Sequence, residues 1–315
     1  MAKKPKILIV GGAGYVGGCL TDMLVSQEFQ VTVYDNLTYE DRFCKEAPFI
    51  FGDIRHYKTL KKIANQFDII IWLAALVGDG ACAINPALTE EINVAPVRHM
   101  LTYYKGKVIY VSTCSVYGMN SRLLDESAEV KPLSHYAETK LKAEQLILAK
   151  RKNALVFRFG TLFGLGDCYA RPRFDLLVNH WSGKAARGEP LTVLGGEQWR
   201  SFLHVKDAAS ALMFGVAHNL RGLYNVSGAN SKIRDIAGII KTVVPQIRIE
   251  YGNMKVNDMR SYRISSQKLR ALGWSPRLTL TDGIAEVVRA AQEGRIKNPD
   301  APLYSNADYL KSKVL

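Results

Sequence analysis

Near the start of the chain, Gly11-Gly12-Ala13-Gly14-Tyr15-Val16-Gly17-Gly18 separates two patterned runs, and few features narrow the choice of fold so sharply. Before it, Lys6-Ile7-Leu8-Ile9-Val10 is short and β-branched and reads as a strand; after it, Leu20, Met23, Leu24 and Val25 recur at helical spacing. A strand that turns at once into a helix needs glycine at particular places. Gly11 permits the tight turn, Gly14 lets backbone approach a pyrophosphate, and Gly17 lets the helix pack close. The helix N-terminus then attracts the phosphate charge. A glycine pattern alone is a weak signal, and the context decides. Val31-Thr32-Val33-Tyr34 follows as a second strand and stops at Asp35, where a carboxylate accepts from a ribose 2′-hydroxyl and repels a 2′-phosphate. The stretch predicts a dinucleotide-binding βαβ unit that takes NAD rather than NADP.

Further strands follow. Phe49 to Asp53 reads as a third, with Asp53-Ile54 placed to flank an adenine; Asp68 to Ala75 reads as a fourth and Lys107 to Val111 as a fifth. Their continuous apolar character suits a parallel sheet covered on both faces. The loops after the last two, Leu76 to Cys82 and Ser112 to Gly118, fall at the carboxyl ends of strands, where ligands of open α/β sheets bind. Between them Asn85-Pro86 opens a helix expected to run to about Tyr104, with Asn93 inside it. Pro132-Leu133-Ser134 signals another helix start, and the first turns beyond it are His135-Tyr136-Ala137-Glu138-Thr139-Lys140. Tyr136 and Lys140, four apart, share a helix face. An ammonium held near a phenol favours phenolate, which makes a tyrosine usable as a base near neutral pH.

With 315 residues, 48% of them hydrophobic, the chain can bury one large core or two unequal ones. The formal charge of +13 is dispersed, with no long basic run and no interleaved aromatic stripe, so a basic pocket for a small anionic ligand is expected and nucleic-acid binding is not. Five scattered cysteines (Cys19, Cys44, Cys82, Cys114, Cys168), none in a Cys-x-x-Cys pair, suggest neither a disulfide framework nor a zinc site. Ile7 to Val10 is too short for the apolar core of a signal peptide, and no later run approaches a membrane span. A cytoplasmic protein without metal or membrane attachment is expected.

Taken together, Gly11, Gly14 and Gly17, Asp35, Asp53-Ile54, Leu73-Ala74-Ala75, the stretch from Ser112-Thr113 to Val116-Tyr117-Gly118, and Tyr136-x-x-x-Lys140 resemble the extended short-chain dehydrogenase/reductases, specifically the NAD-dependent nucleotide-sugar epimerase/dehydratase family, with its UDP-glucose 4-epimerase-like members. Later segments extend the likeness. Arg158 to Gly164 resembles the family's Arg-x-x-Asn-x-Tyr-Gly, Arg200 to Asp207 its Arg-Asp-Phe-x-x-Val-x-Asp, Gly222 to Val226 its Gly-x-Tyr-Asn-x, and Ser266 to Pro276 its Ser-Lys-x-x-x-x-Leu-Gly-Trp-x-Pro. The resemblance spans about residues 6 to 290. It implies an α/β fold: a Rossmann-type doubly wound parallel sheet with helices on both faces, plus a smaller, discontinuous C-terminal α+β substrate domain. Residues 1–164 would form the NAD-binding domain, with 200–220 and 279–293 returning to it; 165–199 and 221–278 would form the nucleotide-sugar domain.

The resemblance also implies roles. Tyr136 would take the proton from a sugar hydroxyl, Lys140 would lower its pKa and hold the nicotinamide ribose, and Thr113 would hydrogen-bond the same oxygen. Gly11, Gly14, Tyr15, Val16, Asp35, Asn36, Asp53, Ile54, Leu73, Ala74 and Ala75 would join Tyr136 and Lys140 around NAD. Val77, Cys114, Ser115, Thr161, His180, Arg200 and Arg260 would face a UDP-, GDP- or dTDP-linked sugar, the two arginines meeting its diphosphate because guanidinium forks match phosphate oxygens. The helices holding Asn93 and Tyr136 would pair with their copies in a four-helix homodimer interface.

Departures from the family pattern narrow the chemistry. Sugar dehydratases carry Asp-Glu directly after the threonine; here Cys114-Ser115 supplies no carboxyl, so 4,6-dehydration is not expected. The Cys and His of deoxy-sugar epimerase/reductases would fall at Ser115, one past Cys114, and near His180, and the asparagine of the substrate motif is Thr161. What remains is oxidation at a sugar carbon, most often C4, in either a 4-epimerase or a 4-dehydrogenase that releases the keto sugar. The loop from Leu76 to Cys82 and the segment from Arg173 to Asn179 also resemble a branch that handles nucleotide-activated sugars, including heptoses, for surface polysaccharides. Non-catalytic relatives commonly lose the tyrosine or the lysine, and both are present.

Overall fold

The glycine turn joins β1 (Lys6–Val10) to α1 (Tyr15–Ser26), and β2 (Gln30–Asp35) returns parallel to β1, with Val10 opposite Tyr34. This is seen in a computed structural model that describes residues 4–167, 169–252 and 260–314. Cys168 and residues 253–259 of the expected substrate domain lie outside the described residues. The chain continues through β3 (Phe49–Phe51), α2 (Tyr57–Ala64), β4 (Ile69–Trp72), α3 (Asp79–Ile84), α4 (Pro86–Asn93), α5 (Ala95–Tyr103), β5 (Lys107–Thr113), β6 (Met119–Leu124), α6 (His135–Lys150) and β7 (Leu155–Phe159). Next come β8 (Thr161–Phe163), α7 (Leu177–Ala186), β9 (Leu191–Leu194), β10 (Trp199–His204), α8 (Val205–Ala217), β11 (Gly222–Val226), β12 (Ala229–Lys232) and α9 (Ile233–Val243). The last are β13 (Ile249–Gly252), β14 (Ser261–Ile264), α10 (Gln267–Arg270), α11 (Leu280–Gln292) and α12 (Asn306–Val314).

Seven strands pair in the order β11-β7-β5-β4-β1-β2-β3, every pair parallel. The chain runs outward from β1 to β3 and then restarts on the other side of β1 at β4, so a crevice opens where the order reverses. Alternate residues of β1 serve opposite faces. Ile7 and Ile9 join a core with Leu20 and Leu24 of α1 and Ala208 and Leu212 of α8. Leu8 and Val10 join another with Val97 and Met100 of α5 and Ala143 and Ile147 of α6. Each of these four β1 residues is fully buried, and burying a side chain of this size contributes about 1.5–3 kcal/mol. Gly17 shows why the turn needs glycine: a Cβ there would meet the Gly12 Cα at 2.6 Å and the Gly11 carbonyl at 2.7 Å.

A smaller unit stands beyond the carboxyl edge. It holds a three-stranded sheet in the order β12-β10-β8 and the parallel pair β13-β9, packed with α7, α9 and α11 around Trp181, Phe202, Ile236 and Ile284. The boundaries differ from those expected. Residues 222–226, expected in the smaller domain, are the edge strand of the large sheet, because β11 pairs with β7 along its full length. Within 200–220, α8 packs on the large sheet and Leu203 reaches the same core, while β10 itself pairs between β8 and β12. Residues 279–293 do not return to the cofactor unit: Leu280, Ile284 and Val288 of α11 face the smaller core. The helix expected from Asn85 to Tyr104 is broken at Val94, since Pro96 in the first turn of α5 has no N–H for the Ile92 carbonyl. Among the described residues, no helix is long and apolar enough to cross a membrane, and no group of three or more His, Cys, Asp or Glu is placed to hold a metal ion.

Candidate active site

A cavity of about 990 Å³ follows the carboxyl ends of the central strands from the glycine turn to the smaller unit. Its first half is built by the turn. Gly11 adopts φ +85° and sits so close to the end of β4 that a Cβ would meet the Ala74 Cα at 2.7 Å. Gly14 caps α1 without a side-chain acceptor, so the first-turn amides are left for a ligand, and a Cβ there would have nothing nearer than 3.9 Å. Asp35 is pinned to the turn, its carboxylate accepting from Ala13 N at 3.0 Å and Leu37 N at 2.8 Å. Burial raises its pKa and these amides oppose the rise. Asp53 accepts from Arg55 at 2.7 and 3.0 Å and from Asn36 at 3.1 Å, and the Arg55 pair holds its carboxyl down at about 2. Uncapped amides at a helix N-terminus, an open approach over Gly14 and a fixed carboxylate at the end of β2 fit a dinucleotide phosphate and ribose.

The middle of the cavity holds Tyr136 and Lys140. Ser134 caps α6, its hydroxyl accepting from Ala137 N at 3.3 Å, and the helix turns both side chains into the cavity. The Thr113 hydroxyl lies beside the Tyr136 phenol, near enough to favour its ionised form, and accepts from Ser115 N at 3.1 Å. Lys140 is 3% exposed. Burial outweighs the expected pairing in setting both pKa values: it pulls the ammonium down to about 7 and pushes the phenol up, with Cys82 and Asp79 adding to the rise while Thr113 and Arg173 oppose it. Asn93, at the end of α4, fixes the neighbouring loop. Its carbonyl accepts from Leu76 N at 2.8 Å, and its amide donates to the Leu76 carbonyl at 3.0 Å and to Thr139 at 3.1 Å.

The far half is cationic. Arg200 donates to the Arg260 carbonyl and lies over the Tyr262 ring, 5.7 Å from its centre. Arg260 pairs with Asp79 at the start of α3. The Ser115 hydroxyl is 3.3 Å from that of Tyr262.

The expected cofactor contacts Gly11, Gly14, Tyr15, Val16, Asp35, Asn36, Asp53, Ile54, Leu73, Ala74 and Ala75 all line this cavity, as do Thr113, Val77, Ser115, Thr161, Arg200 and Arg260. Tyr15 contributes from the turn, while its hydroxyl is engaged elsewhere, donating to the Gly164 carbonyl. Two expected residues are not brought in. Cys114 is fully buried and its thiol donates to the Arg158 carbonyl at 3.2 Å, because β5 gives way there to a 3-10 turn (Cys114–Tyr117) that ends the strand's alternation. His180 is on α7 but off the face that supplies Leu177 and Trp181 to the cavity wall. Sequence reasoning passed over Tyr39, Arg171, Asn306 and Tyr262, which also line it, and saw Arg173 and Asp175 only as part of a family likeness. Arg173 and Asp175 form a two-pronged pair at 2.8 and 2.8 Å.

Known proteins resemble this chain in sequence and in fold. The UDP-glucose 4-epimerase of Rhizobium meliloti is 26% identical over 305 residues, covering 87% of this chain and 93% of its own length. The dTDP-glucose 4,6-dehydratase of Streptomyces niveus is 27% identical over 346 residues, covering 96% and 99%. Among solved structures, the Thermus thermophilus UDP-glucose 4-epimerase in complex with NAD superposes with a TM-score of 0.78 at 23% identity, covering 91% of this chain and 99% of that one. A family model described as the NAD dependent epimerase/dehydratase family matches residues 7–227. That match opens in the first strand of the large sheet and closes just past its last, β11, so the chain belongs to the NAD dependent epimerase/dehydratase family.

Proposed function

We propose that this enzyme is a nucleotide-sugar 4-epimerase, oxidising the sugar at C4 and returning hydrogen to the opposite face of the same carbon. The reading rests above all on one observation. Tyr136, with Thr113 beside it, shares one cavity with the glycine turn and the Arg200–Arg260 pair, while the turn after Thr113 offers no carboxyl to expel water. When bound, NAD supplies the acceptor and donor of hydride. The residues supply the rest. Tyr136 Oη accepts the proton of the C4 hydroxyl as the carbonyl forms and gives it back on re-reduction. Thr113 donates to that oxygen and steadies it when it carries charge. Lys140, buried one turn further along the same helix face, keeps a proton within reach. Arg200 and Arg260 hold the diphosphate, which leaves the sugar free to turn over while the nucleotide stays anchored.

The resemblance of the relatives named as UDP-glucose 4-epimerases supports this choice. The test is to incubate the purified protein with UDP-, GDP- and dTDP-sugars while following reduced-nicotinamide absorbance and product stereochemistry. Interconversion of C4 stereoisomers with no net absorbance change is expected. Stoichiometric NADH with release of a keto sugar would overturn the epimerase reading in favour of a dehydrogenase.

A further inference from the structure

Beyond α11 the chain crosses back over the cavity and contacts both of its rims. Phe174 N donates to the Tyr304 carbonyl at 2.9 Å, and Arg171 Nη1 donates to the Leu303 carbonyl at 2.6 Å. Asn306, 2% exposed, is the hub. Its side-chain carbonyl accepts from Arg171 Nη2, its amide donates to the Val77 carbonyl at 3.1 Å, and its backbone N–H donates to Asp175 at 3.1 Å. The Tyr309 ring lies 5.5 Å from that of Tyr39, beyond β2. Asn306, Ala307 and Leu310 therefore form part of the cavity wall between the loop at Val77 and the loop at Arg171–Asp175.

A buried asparagine with its polar groups engaged, tying two segments distant in sequence, marks a designed junction, since an unpaired amide there would be costly. The segments it ties flank the path from Gly14 to Tyr136. We propose that residues 302–314 are a latch over the cofactor and that Asn306 is its positioning residue, closing the Val77 loop and the Arg171–Asp175 loop around bound NAD. The latch is built to open. Within residues 306–313 only Asn306 is buried, so release costs its hydrogen bonds and the packing of Tyr304 on Phe174 and of Tyr309 on Tyr39 and leaves the sheet intact. An enzyme that oxidises and re-reduces one carbon consumes no cofactor and gains from holding it, which ties the latch to the epimerase reading. The latch itself rests only on NAD occupying the glycine-turn half, whatever the sugar.

The test uses the full chain loaded with labelled NAD and chased with unlabelled NAD, without any sugar. Asn306→Ala is expected to speed NAD release about tenfold and to raise the NAD concentration needed for half-maximal turnover more than it lowers kcat. Tyr309→Ala, which spares Asn306, is expected to speed release by a smaller factor. Release as slow as in the parent protein in both variants would overturn the latch. Should Asn306→Ala fail to fold, Tyr309→Ala decides alone: faster release supports the latch and unchanged release overturns it. A protein that holds NAD by the latch yet yields NADH and a keto sugar would refute the epimerase reading and leave the latch standing.

Discussion

The ammonium of Lys140 rests 4.3 Å from the centre of the Tyr110 ring, on the sheet side of α6 and out of bulk water. The ring face offers some electrostatic compensation, but burial still brings the pKa down to about 7. An unfolded lysine titrates near 10.4. Between those values the unfolded chain binds more proton, so this residue makes stability rise with pH from about 7 upward, and its full cost is present below about 7. Lys140→Met should therefore be more stable than the parent protein at pH 6, with the difference shrinking by about 3 kcal/mol at pH 9. Urea unfolding of the NAD-free proteins at the two pH values measures this. A difference that does not change with pH would mean that the amine is not depressed.

Tyr136→Phe keeps the ring and removes the oxygen that lies beside Thr113. Turnover is expected to fall by about 10²–10⁴, the usual worth of a positioned proton carrier, while NAD stays bound, because the glycine turn and Asp35 are untouched. Steady-state rates together with the nicotinamide content of the purified variant check both halves. A variant turning over at the parent rate would remove Tyr136 from the chemistry.

Much of the cofactor unit was legible because its signals are local. Each strand is a continuous apolar run, the glycine turn admits few conformations, and Ser134 marks the start of α6 within one turn of Tyr136. The smaller unit was not, because its strands are short and find partners far along the chain: Leu191–Leu194 pairs with Ile249–Gly252, and Met119–Leu124 with Ser261–Ile264. No periodicity encodes such pairings. His180 was displaced by a single position on its helix from Trp181, a step of about 100° that moves a side chain to another face. Asn306 left no trace at all, since a polar residue opening a polar helix reads as surface until the loops it joins are seen.

Glu144 lies one helical turn beyond Lys140 and is paired with Arg158 at 2.5 Å, the two side chains being 2% and 5% exposed. Arg158 also donates to the Tyr117 hydroxyl at 2.8 Å, and that hydroxyl donates to Asn225 at 2.9 Å, so the pair joins α6, β7 and β11 behind the helix face that carries Tyr136 and Lys140. Removing one partner strands the other charge in the core. Glu144→Ala should cost about 3–5 kcal/mol in urea unfolding, whereas replacing both residues by apolar ones of similar size should cost less. Equal losses in the single and double variants would argue against an uncompensated charge as the cause. Because the carboxylate also favours the charged form of Lys140, the pH at which the lysine's effect on stability sets in should move down in Glu144→Gln.

Asp79 and Arg260 set up a competition in the half of the cavity proposed to take the nucleotide sugar. One carboxylate oxygen of Asp79 pairs with Arg260, and the other is buried with no hydrogen-bond partner among the described residues. A diphosphate drawn to Arg260 meets this carboxylate as a like charge. Asp79→Asn is therefore expected to lower the KM for the nucleotide sugar several-fold, an effect that weakens as salt is raised. Arg260→Ala should raise that KM about 10- to 100-fold, the loss of a charge-assisted contact, and should leave the retention of NAD unchanged, since the cofactor half is built by the glycine turn. Steady-state kinetics at two ionic strengths measure both. A rise in KM for Asp79→Asn would assign the carboxylate the opposite role, that of holding the guanidinium in place for the diphosphate rather than contending with it.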